Sequence, residues 1–281
     1  LVETFPFFSL LPRLKAPTVA VDHGVSSTEG FPAKIRANFS YVRFMQYRFY
    51  LKYASRIVMV SEYLKAGLPA ALQKKTSVIY NGADHYAGTV AKVTGELRKS
   101  LGVDESNILL LYVGRLSSAD QPYKGTADLV KMYRKLRQDN PDIRLLMVGF
   151  GGDRERIWLE GEGVLIINNA PAEQMPAVFS ACDIYVTASR WEGFDLPIVE
   201  AQSFGKPVVG LKIGAHPEVV ADDRSGFLTA SVEEMGDAVR RLAGDDGLRQ
   251  EMGQAAAGNV GRFRWDDTVD QYERLLQEVV S

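Results

Sequence analysis

Short β-branched or aliphatic runs recur along this 281-residue chain, each followed by a Gly- or Pro-bearing loop and an amphipathic stretch. Residues 18–21, 56–60 and 77–80 read as strands, separated by helical patterns at 35–53 and 62–72. A second series follows, with strands expected at 108–113, 144–148, 164–167, 184–187 and 207–211, and a weak last one at 226–228. Helical patterns lie between them, among them 126–138, 173–179 and 196–204. Strands alternating with helices imply right-handed crossovers and parallel sheets, an α/β fold.

The two series part between Asn81 and Ser100, where Asn81-Gly82, Ala87-Gly88-Thr89 and Thr94-Gly95 are turn signals. That stretch reads as an interdomain linker followed by a short helix. The second series is long enough for a complete doubly wound domain. The first holds about three strands where such sheets usually have five or six. The expected organisation is a partial Rossmann-like domain at 1–85, a complete one at 86–262 and a closing helix in 263–281. In that last stretch Val269, Tyr272, Leu275, Leu276 and Val279 share one helical face, behind Asp266 as cap. The chain opens at Leu1 inside what reads as a structured segment, so it is expected to be a fragment or a processed product.

Composition adds little. The chain is 46% hydrophobic and 24% charged with a formal net charge of -2, so no global field favours nucleic acid. Cys182 is the single cysteine, which rules out an intrachain disulfide and a thiolate zinc site and suits a reducing cytosol. No apolar run approaches the roughly 20 residues that span a bilayer. One local feature stands apart: between Gly30 and Ser61 six basic residues (Lys34, Arg36, Arg43, Arg48, Lys52, Arg56) face no acidic one. Aromatic residues Phe39, Tyr41, Phe44, Tyr47, Phe49 and Tyr50 interleave with them. One reading is a peripheral contact with a membrane surface or an anionic acceptor through 34–56. The plainer reading, preferred here, is a surface helix with its aromatic residues in the core and its basic residues in water.

The chemistry concentrates in two loops. The stretch from Ser189 to Ala201 follows the strand at 184–187, at the carboxyl end of a parallel sheet where open α/β folds bind ligands. Leu196-Pro197 opens a helix, so Gly193, Phe194, Asp195 and Leu196 would present free amides and a positive helix end to an anion such as a diphosphate. Glu200, about one turn inside, can accept hydrogen bonds from paired sugar hydroxyls, and Glu192 can reach another part of the same ligand. Singly, each would be read as a solvated or dipole-facing carboxylate. After the strand at 108–113, Gly114-Arg115-Leu116 and then Tyr123-Lys124-Gly125 offer a guanidinium fork and a point charge that can converge on a diphosphate.

Glu192 and Glu200 inside Glu-Gly-Phe-x-Leu-Pro-x-x-Glu-Ala resemble the signature of glycosyltransferase family 4, the retaining GT-B enzymes. Further segments agree in order: Val60-Ser61-Glu62-Tyr63-Leu64, residues 78–84 with Asn81-Gly82-Ala83-Asp84, Gly114-Arg115-Leu116 with Lys124-Gly125, Gly205-Lys206-Pro207-Val208-Val209, and Phe263-Arg264-Trp265-Asp266. The resemblance implies a metal-independent transferase that moves a sugar from a UDP-, GDP- or ADP-linked donor to a sugar or lipid-linked glycan acceptor, with retention and no cofactor. It implies that Arg115 and Lys124 neutralise the departing diphosphate, Glu200 holds the ribose, Glu192 faces the donor sugar, and Gly114, Gly193, Phe194, Asp195, Leu196 and Pro197 line the donor. His23, in Asp22-His23-Gly24, would face the cleft from the first domain. The absence of any Asp-x-Asp agrees with side-chain cations in place of a metal clamp.

Three departures bear on donor identity. Asp195 stands where the family often has Gly, Gly214-Ala215-His216-Pro217-Glu218 replaces a commoner Gly-Gly-x-x-Glu, and the loop 117–123 is long. Two rivals remain. A dinucleotide fingerprint at Gly149-Phe150-Gly151-Gly152-Asp153-Arg154 misplaces its third glycine, and no P-loop segment occurs. A non-catalytic sugar-nucleotide-binding fragment, or a subunit needing its missing portion or a partner, is the alternative that the incomplete first domain keeps open.

Overall fold

A computed structural model describes residues 2–4, 11–24, 31–86 and 94–281. Two parallel sheets make up the chain. The first pairs β1 (Val2–Thr4), β2 (Val19–Asp22), β3 (Arg56–Met59) and β4 (Thr76–Val78) in chain order. It holds one strand more than expected, because β1 is too short and mixed (Val2-Glu3-Thr4) to give a periodic signal. The second runs β10-β9-β8-β5-β6-β7, with β5 (Ile108–Val113), β6 (Ile143–Gly149), β7 (Leu165–Asn168), β8 (Ile184–Thr187), β9 (Val208–Leu211) and β10 (Gly226–Thr229). Read from β7, this is the doubly wound order 3-2-1-4-5-6. β8 and β9 are buried at every position, as strands covered on both faces must be.

Helices cover both faces of the second sheet: α5 (Thr126–Asp139), α6 (Asp153–Gly161), α7 (Met175–Ala181), α8 (Leu196–Ser203), α10 (Val232–Gly244) and α11 (Asp246–Asn259), with the single turn α9 (His216–Val219). Ahead of them stand α1 (Ala33–Met45), α2 (Glu62–Ala66), α3 (Ala70–Gln73) and α4 (Thr94–Ser100). Start signals follow side-chain chemistry. Ser61 Oγ accepts the Leu64 N–H at 3.2 Å and Ser231 Oγ that of Glu234 at 3.2 Å, each satisfying a free donor of a helix end. Fully burying one Leu or Ile adds about 1.5–3 kcal/mol; Leu109, Leu111, Leu146, Ile198 and Val199 together form the floor beneath the crevice described below.

Three sequence expectations are corrected. The helix expected at 35–53 changes winding: α1 passes at Gln46–Tyr50 into a π turn and at Leu51–Tyr53 into a 3-10 turn. Only Gln46 and Leu51 of these three elements are buried. The aromatic residues divide: Tyr47 and Tyr50 pack against the core, whereas Tyr41 is 62% exposed, Phe44 54% and Phe49 49%. Asp266 does not cap the last helix, α12 (Trp265–Val280). Its first N–H, from Trp265, goes instead to Asp84 Oδ1 at 2.8 Å.

The chain at 81–86 is no free tether. Ala83 donates to the Phe263 carbonyl at 2.9 Å, and a Cβ on Gly82 would lie 2.5 Å from the Trp265 ring. The turn signal at Ala87-Gly88-Thr89 lies outside the described residues. α12 crosses back to the first sheet, where Leu275, with Tyr272, Leu276 and Val279, packs on Val19, Val21, Val58 and Ile79. Cys182 is a buried packing residue, its thiol pushed up to about 12 by burial. Among the described residues no helix is long and apolar enough to cross a membrane.

Candidate functional site

β5 and β8 lie side by side, Leu110 opposite Ile184 and Leu111 opposite Tyr185. The chain leaves β5 towards β6 and β7 and returns to β8 on the other flank, so the crevice at their carboxyl ends is the switch point where open α/β sheets take ligands. Arg115 follows β5 and Glu192 follows β8; the two loops singled out in the sequence meet here.

Glycines let those loops close on one another. Gly125 (φ +65°) would put a Cβ 2.1 Å from the Ala188 carbonyl oxygen, and Gly214 (φ +52°) would put one 2.4 Å from that of Glu192. Backbone hydrogen bonds lock the contacts: Arg190 donates to the Tyr123 carbonyl at 2.7 Å and Ala215 to that of Glu192 at 3.2 Å. Gly149 serves packing in the same way, since a Cβ there would collide with the Gly114 carbonyl at 1.7 Å. That contact explains a glycine that had suggested a dinucleotide fingerprint.

Asp195 takes the left-handed conformation (φ +64°) as N-cap of α8, with Pro197 in the first turn. Among the described residues the amides of Gly193, Phe194, Asp195 and Leu196 donate to no other group, so the turn into α8 carries free N–H groups. The Phe194 ring packs in a trio with Tyr80 (6.0 Å) and Phe263 (5.6 Å).

Three carboxylates sit in this small volume, and each has a cationic or imidazole partner. Lys124 Nζ lies 2.7 Å from Glu192 Oε1. Burial alone would lower the ammonium, but Glu192 and Asp195 override it and hold Lys124 above its ordinary range. Burial and the Asp195 charge push Glu192 up against the pull of Lys124. Glu200 Oε1 lies 2.9 Å from His85 Nε2; burial, then Asp195, pushes this carboxyl up to about 7. Asp195 Oδ2 lies 3.0 Å from Nε2 of the fully buried His216, whose Nδ1 is 2.7 Å from the Leu211 carbonyl.

The two expected cations are held differently. Lys124 is committed to Glu192, whereas Arg115 is exposed and lays its guanidinium 5.2 Å above the Phe150 ring. His23 enters from the first domain, where its carbonyl lies against Gly193, within 2.7 Å of a Cβ built there. Burial lowers its imidazole. Beside it, Asp22 accepts the Gly24 N–H at 2.9 Å, and burial pushes its carboxyl up to about 6.

The two halves are also clamped. Glu218 accepts the N–H groups of Glu62 (2.8 Å) and Tyr63 (2.7 Å) at the start of α2 and the Tyr80 hydroxyl at 2.9 Å. His85, His216 and Glu218 were not assigned roles from the sequence. His216 had a signal, its departure from the commoner pattern alongside that of Asp195; His85 had none, because only the return of the 81–86 segment brings it to Glu200.

Residues 93–258 match the family described as glycosyl transferases group 1, and residues 3–86 match glycosyltransferase family 4. The chain belongs to the family 4 glycosyltransferases. Its fold is GT-B, two Rossmann-like sheets facing one cleft. A D-inositol 3-phosphate glycosyltransferase of Corynebacterium aurimucosum is 30% identical over 220 residues, covering 73% of this chain and 51% of that protein. The enzyme of the same name from Segniliparus rotundus is 34% identical over 186 residues, 62% of this chain and 40% of its own. The chain thus spans about half the length of these relatives. Among solved structures, Anabaena HepE in complex with UDP superposes with a TM-score of 0.73 at 25% identity, covering 93% of this chain and 72% of that one. Sucrose-phosphate synthase from Thermosynechococcus elongatus shares the fold with a TM-score of 0.79 at 21% identity, covering 97% and 70%.

Proposed function

We propose that this family 4 chain transfers a sugar from a nucleotide-linked donor to an acceptor hydroxyl with retention of configuration. The observation that carries the reading is the meeting, at one switch point, of four free amides, Arg115, Lys124 and the two carboxylates Glu192 and Glu200. The diphosphate takes the amides at the start of α8, and Arg115 and Lys124 neutralise the charge that grows as the sugar leaves. Lys124 is raised and already desolvated, so it shares its proton-rich head between Glu192 and an arriving phosphate without a new burial cost. Glu200 accepts the ribose hydroxyls, displacing His85, and Glu192 faces the sugar. A UDP-linked donor is supported by the UDP in the HepE complex. An inositol phosphate or another polyol as acceptor is supported by the names of the curated relatives. His23 faces the acceptor side of the cleft. These side-chain cations, rather than a metal, are proposed to do the neutralising.

Titration calorimetry of UDP-, GDP- and ADP-linked sugars against the chain and its Arg115→Ala and Glu200→Ala variants tests the donor site. One nucleotide sugar should bind, and each variant should lose about tenfold or more, or roughly 1.4 kcal/mol. Product analysis by NMR then tests transfer and anomeric retention. Binding without transfer by the complete protein would favour the non-catalytic reading. A peripheral contact of 34–56 with an anionic membrane surface is a second proposal, supported by Tyr41, Phe44, Phe49 and Tyr53 standing exposed among Arg43, Arg48 and Lys52.

A further inference from the structure

Two departures from the family pattern, Asp195 for Gly and His216 in the 214–218 turn, are one structural event: the side chains bond to each other at 3.0 Å. The proton count of that contact follows from geometry. The Leu211 carbonyl can only accept, so Nδ1 of His216, 2.7 Å away, carries a hydrogen. Nε2 and Asp195 Oδ2 then need a second proton between them, either as imidazolium with carboxylate or as imidazole with carboxyl. In both arrangements the pair is neutral overall, and it lies almost wholly out of water, since His216 is 0% exposed and Asp195 8%.

The setting makes this proton matter. Asp195 adopts a left-handed turn (φ +64°) that glycine takes freely and that an L residue enters only at a steric cost. Its carboxylate is anchored away from the four free amides at the mouth of α8. Facing the pair are Glu192 and Glu200, each pushed up in part by Asp195, together with Lys124, Tyr112 and Tyr185. Without the second proton a third negative charge would join Glu192 and Glu200, against Lys124, where a dianionic diphosphate is to bind.

We propose that His216 is a positioning residue of the donor site: by holding one proton against Asp195 it fixes the turn that opens α8 and keeps that carboxylate from repelling the donor diphosphate. The proposal rests on the donor-site reading given above. His216 needs no contact with the donor; it acts through Asp195 and through its tie to the end of β9.

The test is UDP affinity by calorimetry, with GDP and ADP run in parallel on the unaltered protein, and folding of each variant checked by circular dichroism and thermal melting. His216→Ala should weaken UDP binding at least tenfold. Asp195→Gly combined with His216→Ala should recover most of that loss, because glycine takes the turn and no carboxylate is stranded. Asp195→Asn alone should lose less affinity than His216→Ala, since its amide N–H can donate to a neutral His216 Nε2. A merely structural histidine would give no rescue. The proposal falls if folded His216→Ala binds UDP as the unaltered protein does, or if the double variant is no better than His216→Ala. If the unaltered protein binds none of the three nucleotides, the donor-site reading falls and this proposal with it. Binding of GDP or ADP in place of UDP moves the same three variants to that nucleotide, with the same outcomes deciding.

Discussion

The crevice between β5 and β8 and the helix α1 treat their polar and apolar groups in opposite ways. The crevice buries Glu192, Asp195 and Glu200 to below a tenth exposure and gives each a partner. α1 buries nothing, and leaves Ile35, Tyr41 and Phe44 in the open beside basic side chains. In the crevice a removed partner strands a desolvated charge. On α1 a removed side chain leaves only water. Sensitivity to substitution should therefore differ steeply between the two, and the difference separates a preorganised polar site from a surface whose apolar residues are free for contact.

The steepest effect is expected at Lys124. Breaking a buried pair by deleting one member costs roughly 3–5 kcal/mol, so Lys124→Ala should lower the urea-unfolding free energy by about that much. Lys124→Met with Glu192→Gln should restore most of it. A loss of under about 1 kcal/mol for Lys124→Ala would show that the pair is solvated and that the contrast with α1 is overstated. Next comes Gly125→Val, whose Cβ would fall within contact of the Ala188 carbonyl. A loss of about 2–3 kcal/mol with abolished nucleotide binding is expected. Glu218→Ala should then cost about 1–3 kcal/mol by stranding the Tyr80 hydroxyl and two amides of α2, and small-angle scattering should show the two halves separating.

The pH response sharpens the contrast further. Glu200 is raised to about 7, and its ionised form is the one that accepts ribose hydroxyls. Nucleotide affinity should therefore rise as pH goes from 6 to 8, and be flat in Glu200→Gln. Stability should move the other way. A carboxyl raised from 4.5 to about 7 is progressively penalised as pH climbs through that interval, and His216, raised above 6.5, contributes stability that is complete below 6.5 and lost as pH passes its folded value. A melting temperature that climbs from pH 6 to 8 would refute that sign. The smallest effect belongs to α1: Tyr41→Ser or Phe44→Ser should change stability by under about 0.5 kcal/mol. Either should nonetheless reduce co-sedimentation with vesicles rich in anionic lipid if the membrane proposal holds.

The second domain was legible in the chain because its strands are covered on both faces, so apolar runs at 108–113 and 184–187 could mean little else. The site loops were legible because a strand end, Gly193 and Leu196-Pro197 together specify a helix start, whatever the rest of the chain does. β1 and the winding of residues 33–53 were not, since a three-residue strand and a helix without a buried face leave no period to read.

Sequence by itself determined the parallel α/β order, the carboxylates and cations available for chemistry, and the two departures at Asp195 and His216. Tertiary structure alone decided who pairs with whom. The 81–86 segment returns to α12 and thereby brings His85 to Glu200, Asp84 rather than Asp266 caps α12, and the 214–218 turn brings His216 to Asp195. Pattern along a chain records what each residue prefers to leave in water or bury. A hydrogen bond between residues far apart depends on where the backbone carries them, and no local preference encodes that.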